Sequence, residues 1–225
     1  MNNKPDFTNT IEEWSNFFIP LSDGVQLAAR AWLPTNAIEQ PVPAILEYIP
    51  YRKRDGTAIR DEQMHPYWAA FGYACVRVDI RGSGESDGLL LDEYLQQELD
   101  DAVEVINWLE HQDWCSGKVG MMGKSWGGFN CLQVAALRPS ALKAIITVCS
   151  TDDRYADDCH YRGGALLIEN FSWASTISGF MAKPPDPLLL PETWRENWLE
   201  RLQNMPFFAK NWLEHTYKDA YWKHG

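Results

Sequence analysis

Positive charge is scarce in this sequence. Twenty lysine and arginine residues stand against 31 aspartate and glutamate residues in a chain of 225, which gives a formal net charge of −11 and a pI of about 4.9. Nucleic acids and anionic lipid surfaces bind proteins through clustered lysine and arginine side chains. We therefore expect neither nucleic acid nor a membrane to be a partner of this chain.

Long hydrophobic runs are also missing. No stretch approaches the roughly 18 uninterrupted apolar residues that a membrane span needs, and residues Met1 to Asp6 contain no apolar segment of signal-peptide length. Internal repeats and low-complexity tracts are absent as well. These features predict a cytoplasmic protein.

Cysteine is sparse and odd in number. Complete pairing into disulfides is impossible with five cysteines, and no close Cys/His pair has the spacing of a zinc site. We expect reduced thiols and no bound metal, with Cys75, Cys131 and Cys149 as small core residues because they lie in apolar segments. The other two are Cys115 and Cys159.

Short runs of branched and aromatic residues predict the strands. Residues 17–19 and 25–33 flank the turn Ser22-Asp23-Gly24 and predict an antiparallel hairpin. Later runs are separated by helix-length sequence, a pattern typical of parallel strands buried on both faces. Those runs cover residues 43–49, 73–80, 119–122 and 142–149.

One helix is predicted with particular clarity. Apolar residues recur at helical spacing from Leu95 to Leu109, so we expect one face of this segment to pack on the sheet. The acidic residues between them are expected on the solvent face. They are Glu98, Asp101, Glu104 and Glu110.

The character of the chain changes near Ser150. The later sequence is rich in tryptophan and proline and shows helical fragments without a convincing strand. We therefore predict an α/β core over residues 1–150, with a mostly parallel sheet and an N-terminal antiparallel hairpin. Residues 151–225 are predicted to form a helical, cap-like region laid over that sheet.

The segment Gly123-Lys124-Ser125-Trp126-Gly127-Gly128 is the most informative motif. It places a serine between glycines where a strand pattern gives way to a helix pattern, which is the layout of a nucleophile elbow. Side chains two residues before and two after the serine would collide as strand and helix draw together, and Gly123 and Gly127 remove that collision.

Two other interpretations compete for this motif. Gly-Lys-Ser also closes the phosphate loop of nucleotide-binding proteins, but that loop needs a glycine at position 118, where this chain has Lys118. A purely structural glycine-rich turn is the second alternative. The strand-turn-helix context favours the elbow over both.

Further motifs carry a family resemblance. Residues 49–54 (Ile-Pro-Tyr-Arg-Lys-Arg) follow the third strand, residues 78–88 follow the fourth, and weaker matches occur at 152–155 and 160–164. With the elbow, they occur in the order and on the elements of the CocE/NonD, or cocaine-esterase-like, α/β-hydrolases, which include X-prolyl dipeptidyl peptidases. Over roughly residues 10 to 170, the chain resembles the N-terminal portion of that family.

The resemblance implies a serine esterase or peptidase mechanism. Ser125 would attack an acyl carbon, while the Tyr51 hydroxyl and the Trp126 backbone amide would hold the resulting oxyanion. The substrate would be a small ester, an amide or a short peptide, and esterase is the safer description. No metal or organic cofactor is implied, because side chains and backbone suffice for each step. Asp79, Arg81 and His160 are possible residues of the site lining.

Two charged segments near this site have structural interpretations. The glycines and serines of residues 79–88 would form tight turns in any protein, and Asp79 with Arg81 is expected to be a buried pair that ties the loop to the core. Residues 52–54 have two interpretations, orientation of a substrate carboxylate or a solvated basic surface, and the second is expected.

The chain departs from the family pattern in its histidines. A catalytic serine needs a histidine held by an acid, and in α/β-hydrolases both follow later strands. Here His160, His215 and His224 lie in or after the cap-like region, whereas His65 and His111 fit surface or helix-end roles. We expect none of them to be the general base, so neither triad partner of Ser125 is predicted within this chain.

Three explanations remain open. The chain is an N-terminal fragment of a hydrolase, or half of a split enzyme completed by another chain, or a non-catalytic binding protein with this fold. The first two leave the strand at 142–149 as an unpaired apolar edge. We therefore expect the isolated chain to be poorly soluble or homo-oligomeric and to lack esterase turnover.

Overall fold

The computed structural model describes residues 9–224. The absence of a signal peptide was predicted from residues that lie outside this range. An α/β core comes first, with these elements: β1 Ile11–Pro20, β2 Gln26–Pro34, β3 Val42–Ile49, α1 Ala58–Ala70, β4 Ala74–Asp79, α2 Gln96–Glu110, β5 Cys115–Lys124, α3 Trp126–Leu137 and β6 Leu142–Val148.

Six strands form one sheet in the order β1-β2-β4-β3-β5-β6. β1 pairs antiparallel with β2, and β2 with β4, whereas β3, β4, β5 and β6 run parallel. The predicted hairpin and all four later strands are therefore present. Because the carboxyl ends of parallel strands lie along one edge of a sheet, the loops after β3, β4, β5 and β6 come together there.

The acidic face predicted for α2 is wrong at two positions. Glu98 and Asp101 are buried, whereas Glu104 and Glu110 are half-buried. Glu98 accepts hydrogen bonds from the Trp126 indole at 2.5 Å and the Tyr94 amide at 2.9 Å. Asp101 receives two hydrogen bonds at 2.8 Å from Arg81. Both carboxylates are buried because residues of neighbouring loops and of α3 supply donors to them.

Two further charged predictions are corrected. Arg52 and Lys53 are buried, and only Arg54 of the basic cluster is exposed. Asp79 pairs with Arg77, 3.1 Å away, rather than with Arg81. Lys53 has its counter-charge 32 residues away in Glu85, whereas Asp79 and Arg77 lie on the same face of β4 because they are two residues apart.

The two histidines that precede Ser125 in the sequence differ in burial and position. His65, expected at a surface, is fully buried, with its Nε2 3.1 Å from the Glu47 carboxylate and its ring stacked on Trp32. His111 follows the last residue of α2, where its Nδ1 lies 2.7 Å from the Asn107 carbonyl oxygen. The helix-end prediction is thus confirmed for His111 only.

The segment after residue 150 is mostly helical. It contains a small hairpin of β7 Tyr161–Arg162 with β8 Ala165–Leu166. The sequence did not predict this hairpin, because strands of two residues leave no periodic pattern. The helices are α4 Glu169–Met181, α5 Trp194–Asn204, α6 Phe208–Glu214 and a 3₁₀ helix, Ala220–Lys223. The buried apolar residues of α4, α6 and the 3₁₀ helix join the same hydrophobic cluster as Trp126 and Phe129 of α3. The division at residue 150 stays a prediction.

β6 is the exposed edge of the sheet. Ile146 is 57% exposed and Val148 48%. Cys149, predicted as a core residue, is exposed for the same reason, whereas Cys75 and Cys131 are buried as expected. A groove of about 340 Å³ runs over one face of the sheet beside this edge, lined by apolar residues such as Ile45, Trp68 and Met122.

Within residues 9–224, no helix combines the length and the hydrophobicity required to cross a bilayer. The helices instead place apolar residues on the sheet or on each other. All five cysteines are free thiols.

Candidate active site

Ser125 occupies a strained turn between β5 and α3. Its φ of 57° and ψ of −120° lie where non-glycine residues are uncommon. The turn is held by hydrogen bonds on both sides: the Ser125 amide donates to the Val148 carbonyl at 2.8 Å, and the Ser125 carbonyl accepts from the amides of Gly128 and Phe129 at 2.7 and 3.0 Å. This geometry leaves Ser125 exposed, as an attacking hydroxyl must be.

Glycines make this turn sterically possible. A Cβ on residue 123 would lie 2.2 Å from the Gly127 carbonyl carbon, and one on residue 127 would lie 2.7 Å from Ile49 Cγ2. Gly128 shows a similar conflict that the sequence did not reveal, since a Cβ there would lie 2.7 Å from Ser150 Oγ. The start of helix α3 therefore approaches β5, the end of β3 and the loop after β6 too closely for side chains at these positions.

The Tyr51 hydroxyl lies beside the Ser125 side chain. Tyr51 follows β3 by two residues, and its hydroxyl lies within hydrogen-bonding reach of the Ser125 side chain and the Trp126 backbone. Burial raises the pKa of this phenol far above its ordinary value of 10. Tyr51 therefore stays protonated, and the structure brings together the three groups predicted from the sequence: two hydroxyls and one amide.

A cavity of about 250 Å³ opens beside Ser125. Trp173 of α4 forms part of its wall and packs edge-on, with ring centroids 6.2 Å apart, against both Tyr51 and Trp126. The other lining residues are Glu93, Tyr94, Phe129, Cys149, Asp158 and Cys159. A neighbouring cavity of about 500 Å³ shares four of these residues. The helical region thus closes one side of the candidate site.

Glu93 joins the core to the helical region at this cavity. Its carboxylate accepts hydrogen bonds from Arg154, at 2.5 Å, and from the Trp173 indole. The same carboxylate lies 2.7 Å from His160 Nε2. Burial opposes ionisation of Glu93, but electrostatic attraction to His160 and Arg154 lowers its pKa to about 2. Sequence reasoning missed Glu93, because its three partners follow it by 61 to 80 residues.

The three possible lining residues lie outside the wall of this cavity. Asp79 accepts hydrogen bonds from the Lys53 amide, and Arg81 pairs with Asp23 and Asp101, so both support the loop after β4. His160 is fully buried behind Glu93. The structure therefore gives these residues supporting positions around the site rather than contact with its cavity.

Among residues 9–224, no histidine lines the cavity at Ser125. His215 does form an acid-imidazole pair, with its Nδ1 2.7 Å from Asp219, but the pair lies at the exposed end of α6. His224 lies 3.4 Å from Arg154, and burial together with that guanidinium lowers its pKa. Each imidazole is thus engaged away from the serine.

Within the part of the chain that the structure describes, two clusters of side chains lie close enough together to hold a cation. One contains Asp158, Cys159 and His160, and the other Glu47, Asp61 and His65. Arginine already serves both clusters: Arg154 Nη2 lies 3.5 Å from His160, while Arg60 contacts Glu47 and Asp61 at 2.6 Å. The negative charge of the second cluster is therefore offset by the Arg60 guanidinium.

Comparisons with known proteins identify the family of this chain. Residues 23–225 match the family model of X-Pro dipeptidyl-peptidases (S15 family). Cocaine esterase of Rhodococcus sp. (strain MB1 Bresler) is 35% identical over 167 residues, which cover 72% of this chain and 28% of that protein.

Solved structures show the same fold. A CocE/NonD family hydrolase from Staphylococcus aureus matches with a TM-score of 0.75 and 23% identity, over 95% of this chain and 38% of that one. An α-amino acid ester hydrolase matches with a TM-score of 0.70 and 22% identity, over 99% of this chain and 42% of that one. The chain thus has part of the α/β-hydrolase fold and spans well under half the length of these proteins. It belongs to the S15 family of serine hydrolases.

Proposed function

We propose that this chain carries the nucleophile of a serine hydrolase that cleaves ester or amide bonds through an acyl-enzyme at Ser125. One observation supports this most directly: an exposed serine hydroxyl on a strained turn lies within hydrogen-bonding reach of a protonated phenol that also contacts the Trp126 backbone. Carboxyl-ester chemistry needs a nucleophile and two donors in that arrangement.

The proposed reaction begins with attack of Ser125 Oγ on the substrate carbonyl carbon. The carbonyl oxygen gains negative charge, and the Tyr51 hydroxyl and the Trp126 amide donate hydrogen bonds to it. Collapse of this species breaks the bond to the alcohol or amine, which leaves with a proton, and the acyl group stays on Ser125. Attack by water then releases the acid and restores the serine hydroxyl.

The proton acceptor for Ser125 is proposed to come from outside these 225 residues. The cavity wall contributes no imidazole from the described chain, and the exposed edge of β6 offers a site where further strands would pair. The missing acid and histidine would reach Ser125 from a C-terminal part in cis or from a complementing chain. The partial coverage of the relatives supports this view.

The substrate is proposed to be a small ester, amide or short peptide. The relative with the higher coverage of this chain is named as an esterase, whereas a Streptomyces avermitilis relative, 31% identical over 119 residues, is named as a putative Xaa-Pro dipeptidyl-peptidase. Esterase activity is our primary proposal, because the former match covers 72% of the chain against 46% for the latter. A cytoplasmic location belongs to the same proposal.

The proposal is tested in the full-length natural protein with p-nitrophenyl esters and a fluorophosphonate probe. Ser125→Ala should abolish turnover and covalent labelling, because it removes the only proposed nucleophile. Ser175→Ala, on the exposed face of α4, is the matched control and should retain both. Retention of labelling in Ser125→Ala would refute the assignment of Ser125.

A further inference from the structure

The turn that follows Tyr51 is unusually constrained. Arg52 adopts a φ of 60°, and its carbonyl accepts hydrogen bonds from the amides of Gly56 and Thr57 at 2.9 and 3.2 Å. A Cβ on residue 56 would lie only 2.0 Å from the Tyr51 carbonyl oxygen. Backbone of this kind persists only where surrounding groups hold it in place.

Asp79 is one of those groups. It is fully buried at the end of β4, and its two carboxylate oxygens accept hydrogen bonds from the Lys53 amide at 2.9 and 3.1 Å. Lys53 is two residues after Tyr51. The carboxylate therefore fixes the backbone next to the phenol rather than the phenol itself.

The surroundings of Asp79 are built to hold this carboxylate. Arg77 lies 3.1 Å from its Oδ1 and supplies the opposing charge. The following loop packs so closely that a Cβ on Gly84, at a φ of 51°, would lie 2.1 Å from Oδ2. Burial raises the pKa of Asp79, and the charges of Arg77 and Lys53 oppose that rise.

The same turn is held by further contacts from the helical region and from the core. Arg52 donates to the carbonyls of Lys183 and Pro184 at 3.3 and 2.8 Å. The Lys53 ammonium donates to Glu85 at 3.0 Å and to Asn16 at 2.8 Å. Residues 52 and 53 thus have little freedom, which fixes the backbone from which the Tyr51 ring projects.

We propose that Asp79 is a positioning residue for the oxyanion donor: its carboxylate fixes the 51–53 turn and so aims the Tyr51 hydroxyl at the carbonyl oxygen bound to Ser125. This inference rests on the proposed hydrolase function. Asp79 does not line the cavity beside Ser125, so its effect passes entirely through Tyr51.

A double-mutant cycle in the full-length natural protein separates positioning from general support. Tyr51→Phe should lower kcat/KM by about 10²-fold. We expect Asp79→Asn to lower kcat by about tenfold with little change in KM, because positioning of an oxyanion donor matters mainly in the transition state. In the Tyr51→Phe background, Asp79→Asn should cause no further loss, since the hydroxyl it aims is gone.

Asp101→Asn is the matched control. Asp101 of α2 is an equally buried carboxylate, and it pairs with Arg81 of the loop after β4. It has no contact with residues 51–53, so its variant should keep normal kcat. Gly84→Ala is the second variant, since it keeps the charge of Asp79 while crowding Oδ2. It should reproduce the loss in kcat even if Asp79→Asn fails to fold.

The outcomes distinguish this inference from the proposed function. Turnover that survives Ser125→Ala would overturn the hydrolase assignment. Losses from Asp79→Asn and Tyr51→Phe that multiply would overturn only the role of Asp79.

An NMR readout needs no turnover: the ¹³Cζ resonance of Tyr51, assigned with Tyr51→Phe, should shift in Asp79→Asn and Gly84→Ala and stay in place in Asp101→Asn. An unmoved resonance would refute the inference.

Discussion

Position 125 combines exposure with backbone strain. The positive φ of Ser125 is maintained by amide and carbonyl bonds to β6 and α3, and by glycines that let β5 and α3 approach. Strain of this kind costs on the order of 1–3 kcal/mol per residue and is tolerated where the surrounding structure fixes it. The stability of the elbow therefore depends on its glycines.

Replacing Gly123 with alanine should destabilise the fold by about 2–3 kcal/mol or more, because the new methyl group would overlap the Gly127 backbone. Gly179 of α4 is the control: it is exposed, and a Cβ there meets nothing within 4 Å. Gly179→Ala should stabilise the protein by about 0.5–1 kcal/mol, since alanine favours helix. Urea unfolding measures both changes. Equal stabilities of the two variants would contradict this account.

Glu98 gives the molecule a pH-dependent element next to the elbow. Burial raises its pKa from the ordinary 4.5 to about 7, although it accepts hydrogen bonds from the Trp126 indole and the Tyr94 amide. The folded protein thus holds this proton more tightly than the unfolded chain. The stabilising contribution is complete below the unfolded pKa and is lost as the pH rises through the folded pKa.

We therefore expect the free energy of unfolding to fall by roughly 3 kcal/mol more in the native protein than in Glu98→Gln between about pH 4.5 and pH 8. Denaturant titrations at several pH values measure this difference. Glu110→Gln, at the other end of α2, controls for removal of a carboxylate from the helix. Parallel pH curves for the native protein and Glu98→Gln would show that Glu98 does not titrate in this range.

At the scale of elements, Glu93 connects the loop before α2 to the helical region. Glu93→Ala would leave the fully buried Arg154 without its carboxylate, which should cost about 3–5 kcal/mol. Asp157→Ala removes the exposed pair with Arg162 and should cost about 0–1 kcal/mol. Unfolding followed by tryptophan fluorescence compares the two. A small loss in Glu93→Ala would mean that the helical region docks without this ion pair.

The edge strand β6 should govern self-association of the isolated chain. Ile146 is 57% exposed on this edge and also lines the apolar groove, so Ile146→Lys should reduce association by charging an open edge. Ile59→Lys changes an isoleucine of α1 that is 77% exposed and serves as the control. Sedimentation velocity measures the effect. Equal association of the two variants would place the contact elsewhere.

For the whole molecule, we expect the isolated 225-residue chain to hydrolyse p-nitrophenyl esters at a negligible rate. The donors and the nucleophile are assembled, but no histidine of residues 9–224 lines the cavity, and an unassisted serine hydroxyl is a weak nucleophile. Rate measurements on the chain alone and in the full-length protein test this. Rapid turnover by the isolated chain that requires Ser125 would show that one of its own histidines reaches the serine.

Local sequence determined much of this protein. The hairpin, the parallel strands, the helix from Leu95 and the elbow were all predictable, because their signals are periodicity and glycine placement within a few residues. The family motif then predicted that Tyr51, Ser125 and Trp126 come together. These features depend on backbone geometry at short range, which residue type and spacing largely dictate.

Only the tertiary structure decided which charges are buried. Five residues that the sequence predicted to be in solvent are buried, because the fold brings partners to them from other elements. They are Glu98, Asp101, Arg52, Lys53 and His65. Glu93 and Asp79 acquired their roles in the same way, through donors 26 to 80 residues away. A charge is buried only when the fold supplies its counter-charge or donor, and the local sequence carries no record of that pairing.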